Sequence, residues 1–312
     1  MPNYNGVWSL STQYQYAADW PNAPTTALFG GGVISGNVDV IEFVFIESSG
    51  NATDFGDLTV ARHGPASCAS STRGVFGGGQ GNSGNVNTMD FVTISSAGDA
   101  QDFGDLTVGR ERLAGLGSAT RGIFGGGDTN KDVIDFITIA SAGNATDFGN
   151  LTDARGYFVG TASPTRGVFA GGLSSRTDTI DYITIASAGN ATDFGNLSAA
   201  RISMGACASS TRGVFGGGDV DASPSEVNII EYITIASTGN ATDFGDLTAA
   251  RDACAGASNK IKGLFAGGDE AGTKVNKIEF ITIATTGNSA DFGDLTAATS
   301  HLAGCSNAHG GL

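Results

Sequence analysis

A phrase of fifteen residues, I-T-I-A-S-A-G-N-A-T-D-F-G-N-L at 183–197, returns with small edits along the whole chain. Its D-F-G centre occurs six times, at Asp54-Phe55-Gly56, Asp102-Phe103-Gly104, Asp147-Phe148-Gly149, Asp193-Phe194-Gly195, Asp243-Phe244-Gly245 and Asp291-Phe292-Gly293. The spacings are 48, 45, 46, 50 and 48 residues. A chain that repeats itself at this period folds as an array of like units, so a triplet seen six times is a structural element before it is a catalytic one.

Turn signals and alternation divide each unit into four strand-like runs. In the fourth unit they are Gly156 to Ser163, Val168 to Gly172, Thr179 to Ile185 and Thr192 to Leu197. In the third run Ile180 and Tyr182 face one side while Asp181, Ile183 and Ile185 face the other, the pattern of a strand covered on both faces. Glycine supplies 49 of 312 residues and proline only 6, which suits short strands and tight turns. Four antiparallel strands in about 47 residues is the size of a propeller blade. The expected fold is therefore all-β: a six-bladed β-propeller over residues 25–312, with units near 25–62, 63–110, 111–155, 156–201, 202–251 and 252–299. Residues 300–312 repeat the first strand of a unit, the one strand that the first unit lacks. This C-terminal strand is expected to complete the N-terminal blade and close the ring, which removes free sheet edges. Residues 1–24 stand outside the repeat and hold both tryptophans. Trp8, Tyr14, Tyr16 and Trp20 make this segment a candidate arm for docking on a neighbouring subunit or on the body of the domain.

The formal net charge of −15 opposes contact with nucleic-acid phosphates. No run of 18 apolar residues marks a membrane span, and the first residues lack a secretory signal's basic and apolar regions. Cys68, Cys207, Cys254 and Cys305 are too sparse for a disulfide framework and read as buried free thiols.

The units resemble the kelch-type propeller family. An apolar strand ends in a glycine pair, as in Phe76-Gly77-Gly78, Phe124-Gly125-Gly126 and Phe215-Gly216-Gly217; an aromatic follows in the third strand (Phe91, Phe136, Tyr182, Tyr232, Phe280), and an arginine follows the fourth. Kelch units usually carry Trp in the fourth strand, where this chain carries the D-F-G phenylalanine. The opening Gly6-Val7-Trp8-Ser9-Leu10 with Trp20-Pro21, together with the repeat wording, also resembles tail and fibre proteins of phages of marine bacteria. That resemblance implies a virion structural or host-recognition protein, with other tail subunits as partners.

D-F-G is also a kinase metal-binding triplet, but no glycine-rich nucleotide loop, strand lysine or H-R-D accompanies it. Its structural role is expected to be a phenylalanine filling the gap between blades, a glycine permitting close approach and an aspartate bonding turn amides. Asn51, Asn144, Asn190 and Asn240 in N-A-T, with Asn150 and Asn196, are formal glycosylation acceptors, yet their fixed place in the repeat reads as turn chemistry. The acidic turns at Asp128 to Asp132 and Asp219 to Asp221 lack a calcium-loop pattern, and no cofactor or metal set emerges. Arg62, Arg110, Arg155, Arg201 and Arg251 stand eight residues after the D-F-G aspartate, with Thr299 breaking the series. They read either as ion pairs with Asp57, Asp105 or Asp246 or as a guanidinium ring at a channel mouth, able to bind a polyanion or acidic sugar. Arg73, Arg121, Arg166, Arg212 and Lys262 form a second row. His63 and His301 begin adjacent inner strands and lack a third metal ligand.

Variation between units concentrates in the loops from second to third strand. These supply the candidate binding residues: Gln80, Asn82 and Asn85 in the second unit, Asp128 and Lys131 in the third, Arg176 in the fourth, Asp219, Asp221 and Glu226 in the fifth, and Asp269, Glu270 and Lys274 in the sixth. Sameness marks scaffold and variation marks recognition. The function expected is a non-enzymatic virion or surface module that contacts a cell-surface glycan or protein receptor. The alternatives are a glycan-acting enzyme using Glu111, Asp153 or Asp252, and a spacer with no ligand.

Overall fold

The period-two alternation read from each unit makes one sheet. In the computed structural model, which describes residues 24–128 and 130–312, the fourth unit runs Val159–Ala162, Arg166–Ala170, Thr179–Thr184 and Thr192–Asn196, each strand antiparallel to the next. The same order recurs, so the described residues form six four-stranded antiparallel sheets and no helix. None of them therefore lies in a helix long and apolar enough to cross a membrane. Short ribbons in the second-to-third loops, such as Gln80–Gly81 with Gly84–Asn85, add to this frame. The aromatic arm with Trp8, Tyr14, Tyr16 and Trp20 lies outside the described residues.

The first sheet draws its first strand from the end of the chain. Ala303–Ser306 pairs antiparallel with Thr26–Gly30, Leu28 lying opposite Cys305. First strands also touch one another in chain order, from Ala66–Ala69 through Ala114–Gly117 to Ala255–Ser258, and Ala303–Ser306 lies against both Ala255–Ser258 and Ala66–Ala69. The all-β arrangement of repeated sheets is thus propeller-like.

The core sits between sheets, and D-F-G builds it. Phe55 and Leu58 of the first sheet pack with Ala69, Phe76, Val92 and Ile94 of the second. Each D-F-G phenylalanine also meets the third-strand aromatic of its own sheet edge to face, with ring centroids 5.9 Å apart for Phe91 and Phe103 and 6.0 Å for Tyr182 and Phe194. The ladder slips by one residue at this point: Ile180 pairs with Gly195 but Asp181 with Asp193, a bulge that leaves Phe194 unpaired and turned into the core. The freed carbonyl is used across the joint, where Phe148 accepts a bond from Gly189 N–H of the next unit at 2.7 Å. Gly149 has φ +147°, and a Cβ on it would stand 2.5 Å from the Gly189 carbonyl oxygen, so the third residue of the triplet must be glycine.

The D-F-G aspartates are exposed, which corrects the expectation that they bond the turn amides. That bond comes from the neighbouring unit: Asn190 Oδ1 accepts from Asn150 N–H at 3.1 Å, Asn240 from Asn196 and Asn51 from Asp294. The asparagines of G-N-A-T are therefore joint residues with their side-chain oxygens engaged.

Both cationic rows also serve the joints. Arg121 donates to the Ile185 carbonyl at 2.9 Å while its guanidinium lies 4.9 Å from the Phe136 ring centroid; Arg166 does the same with Ile235 and Tyr182. The row expected at a channel mouth is the more deeply buried. Arg62, Arg110, Arg155, Arg201 and Arg251 are 0% exposed. Their partners are the third-strand acids of the next sheet: Asp90 at 2.9 Å, Asp135 at 3.0 Å, Asp181 at 2.7 Å, Glu231, and Glu279 at 3.7 Å. This overturns both sequence expectations for the row, the open guanidinium ring and the pairing with Asp57, Asp105 or Asp246. The physical reason is that a polar side chain inside a third strand covered on both faces needs a charge partner within the core. Each acid also accepts from the Thr or Ser of the preceding L-T or L-S, as Asp181 does from Thr152 Oγ1 at 2.7 Å. Cys68, Cys207, Cys254 and Cys305 are free and buried, as expected.

Candidate functional site

Ten residues after each D-F-G aspartate, just before each first strand, stand Gly64, Arg112, Tyr157, Ser203, Ala253 and His301. All six have φ between +52° and +60°, a left-handed conformation that costs a non-glycine residue roughly 1 kcal/mol. A backbone cycle holds them there. Arg112 N–H donates to the Gly64 carbonyl at 2.7 Å, Tyr157 to Arg112 at 2.9 Å, Ser203 to Tyr157 at 2.8 Å, Ala253 to Ser203 at 2.7 Å, His301 to Ala253 at 2.9 Å and Gly64 to His301 at 2.9 Å. The bonds use only main-chain atoms, so the side chains at these positions are free to differ, and six residue types occupy one repeated backbone site.

The cycle rims a cavity of about 130 Å³ walled by the small residues of the first strands, among them Gly115, Gly160, Ala206, Gly256 and Gly304. The opposite end of this central space narrows to about 60 Å³. There the end of the chain lies across it: His309 Nε2 donates to the Ala69 carbonyl at 2.8 Å, and its Nδ1 accepts from Gly311 N–H at 3.1 Å. Burial pushes the His309 imidazole below its ordinary value. The central space is therefore a cup that opens at the rim.

Charge at the rim is divided. On one side the Arg112 guanidinium lies 4.1 Å from the Tyr157 ring centroid and its Nε stands 3.4 Å from Glu111 Oε2. His63 Nε2 lies 3.3 Å from the same oxygen, and His63 Nδ1 lies 2.7 Å from Asn37 Oδ1. The His63 ring nitrogen close to Glu111 Oε2, with the Arg112 charge beside it, holds the Glu111 carboxyl below its usual range. The His301 ring meets His63 edge to face with centroids 6.0 Å apart. Burial first, then the charges of Arg112 and His63, push the His301 imidazole down to about 4, so it stays neutral above that pH. On the other side burial pushes the Asp252 carboxyl up to about 7, with Asp269, Asp219 and Glu226 adding like charge. An arginine stacked on a tyrosine, two neighbouring imidazoles and carboxyls pushed in opposite directions suit a polar ligand with several hydroxyl or charged groups.

The variable loops adjoin this rim. Asp219 and Asp269 bridge by main chain to Ile202 and Asp252, the residues just before Ser203 and Ala253. Gln80 pairs with His63, and its carbonyl accepts from Asn37 Nδ2 at 2.9 Å. Neighbouring loops are tied together, Asn85 Nδ2 to Asp128 Oδ1 at 2.9 Å and Arg176 to Asp219 Oδ1 at 3.2 Å. Glu270 is paired with Lys277 at 2.9 Å. Asn82, Asn85 and Asp221 are exposed, while Lys131, Glu226 and Lys274 are half-buried. The structure thus brings most of the sequence-predicted loop residues into one collar. It leaves Asp153 exposed on the L-T-D-A-R connection. Among the described residues no group of three or more His, Cys, Asp or Glu is arranged to hold a metal ion.

Sequence reasoning set His63 beside His301, whose rings do meet, and named Glu111 with Asp252 as enzyme candidates, but it missed the position that unites the site. The signal was within reach: counting ten residues from each D-F-G aspartate gives Gly, Arg, Tyr, Ser, Ala and His in an otherwise near-identical text. No protein-family model matches this chain, and no curated protein matches it.

Proposed function

We propose that the six sheets are the blades of a closed six-bladed β-propeller, and that the chain is a non-enzymatic recognition module whose cup binds a cell-surface glycan or receptor group. The closed cycle of hydrogen bonds from Gly64 through His301 and back supports six units around one axis, as does the pairing of Ala303–Ser306 with Thr26–Gly30. The observation that carries the functional reading is the rim itself: six different side chains on one backbone site, opening on a cup, beside the loops that vary most in length between units. The resemblance of the repeats and opening residues to phage tail and fibre proteins suggests the setting. There, residues 1–24 would dock the module on a neighbouring tail subunit.

A glycan array combined with a turnover assay tests this. The expected result is binding without turnover, lost at least tenfold in Arg112→Ala and in a graft of the short Asp128–Asp132 loop onto Asp219–Asn228. Turnover that depends on Glu111 or Asp252 would establish the glycan-acting enzyme instead. Binding indifferent to both variants would place recognition elsewhere.

A further inference from the structure

Five joints between sheets hold a buried arginine on a third-strand acid, and one does not. At the joint between the last unit and the first, Thr299 takes the arginine's place. The acid and the threonine that bonds it are kept, while in the second cationic row Lys262 replaces arginine and donates to the Glu47 carbonyl at 3.1 Å. Glu42 occupies the acid position, is only 7% exposed, and accepts both the Thr296 N–H at 3.1 Å and the Thr296 hydroxyl, as Asp90 does from Thr59 and Asp135 from Thr107. Both of those bonds go to Oε1; Oε2 accepts none from the described residues. The Thr299 hydroxyl turns away and donates to the Ala297 carbonyl at 3.1 Å.

A cavity of about 30 Å³ remains, lined by Glu42, Thr296 and Thr299 with Phe29, Gly31 and Leu302. That is room for about two water-sized groups. The five filled joints show what this geometry holds. In three of them the guanidinium also donates to the carbonyl of the second-strand phenylalanine, at 3.2 Å for Arg62 to Phe76, Arg110 to Phe124 and Arg251 to Phe265. Phe29 is the equivalent residue here and lines the cavity. One carboxylate with neutral carbonyls balances a single positive charge; a divalent ion demands more oxygen ligands than this. Burial also pushes the Glu42 carboxyl above its usual range, with Asp54 adding like charge and the Thr296 bonds offsetting only part of the effect.

We infer that this cavity is a binding site for a small monovalent cation bearing N–H donors, a guanidinium or ammonium group, which completes the ion pair that Thr299 leaves open. Bound there, the cation would lock the last sheet to the first, the sheet that Ala303–Ser306 completes.

Thermal unfolding of the full chain at constant ionic strength tests the site. The probes are guanidinium, ammonium and potassium chlorides, each far below denaturing concentration, with tetramethylammonium as a cation too large and without donors. The expected result is a saturable rise in Tm with guanidinium or ammonium, whichever binds the tighter, and none with tetramethylammonium. Thr299→Arg, which supplies the cation within the chain, should raise Tm on its own and abolish the response. Glu42→Gln should abolish it as well. Carbon NMR of the Glu42 carboxyl reads binding directly in the unsubstituted chain, and so decides the matter even if Thr299→Arg fails to fold. Equal responses in all three proteins, an effect of potassium as large as that of the N–H donors, or an unperturbed Glu42 resonance would each overturn the proposal.

Discussion

Arg110 and Arg112 are two residues apart and live under opposite rules. Arg110 is 0% exposed and sits on Asp135 in the core of a joint, and its counterpart is arginine in five units of six. Arg112 stands on the rim, and its counterparts are glycine, tyrosine, serine, alanine and histidine. At the joint the side chains themselves make the structure, so each is held by its partner: a carboxylate buried for an arginine cannot keep its charge without one. At the rim the main chain makes the structure, through the cycle of N–H to carbonyl bonds, and the side chains carry none of it. The repeat can therefore keep its shape while presenting a different chemistry at each of six positions. Fixity and variation are separated within a single turn of chain.

The sharpest way to break this contrast is at a joint. Arg155→Met leaves the Asp181 carboxylate at 0% exposure with only Thr152 to bond it. The expected loss is about 3–5 kcal/mol, the cost of stranding one partner of a buried pair. Adding Asp181→Leu should recover most of it, since an apolar pair of similar volume is often neutral. Urea midpoints of the two variants measure the difference; a single change that costs under about 1 kcal/mol would mean the joints are not built by these pairs.

Gly149→Ala is the next largest. Its φ of +147° belongs to glycine alone, and the added Cβ would stand 2.5 Å from the Gly189 oxygen of the next sheet. Backbone strain of about 1–3 kcal/mol adds to the displacement of that carbonyl, and with it the bond from Gly189 N–H to Phe148. Retention of the unsubstituted urea midpoint would show that the two sheets approach each other more loosely than the 2.7 Å bond implies.

What the sequence revealed follows the same division. Strand order, the D-F-G strand and the pairing of the C-terminal strand with the first unit were legible because apolar alternation and repetition report which residues face a core; the bulge within the D-F-G strand was not read. The partners of the arginine row were not. Asp57 and Asp105 lie near Arg62 and Arg110 in sequence, but burial selects Asp90 and Asp135, one sheet onward, and the order of sheets in space is not written in local spacing. The rim was hidden for a different reason. Left-handed backbone is announced by glycine, and only Gly64 among the six carries that mark; Arg112, Tyr157, Ser203, Ala253 and His301 are held there by hydrogen bonds between units.

Gly64→Ala tests that last point and should have the smallest effect. Its φ of +59° is one that five side-chain-bearing residues adopt at the same site, and an added Cβ would first meet the flexible Arg112 Cγ at 3.1 Å. The expected cost is about 1 kcal/mol, the left-handed penalty alone. The substitution is the same, glycine to alanine, as at Gly149, so the ratio of the two losses compares rim with joint directly. A loss at Gly64 as large as that at Gly149 would show that the rim is as rigidly specified as the joints. The proposed binding role would then rest on the loops from second to third strand, with the six rim residues serving to hold the cup open.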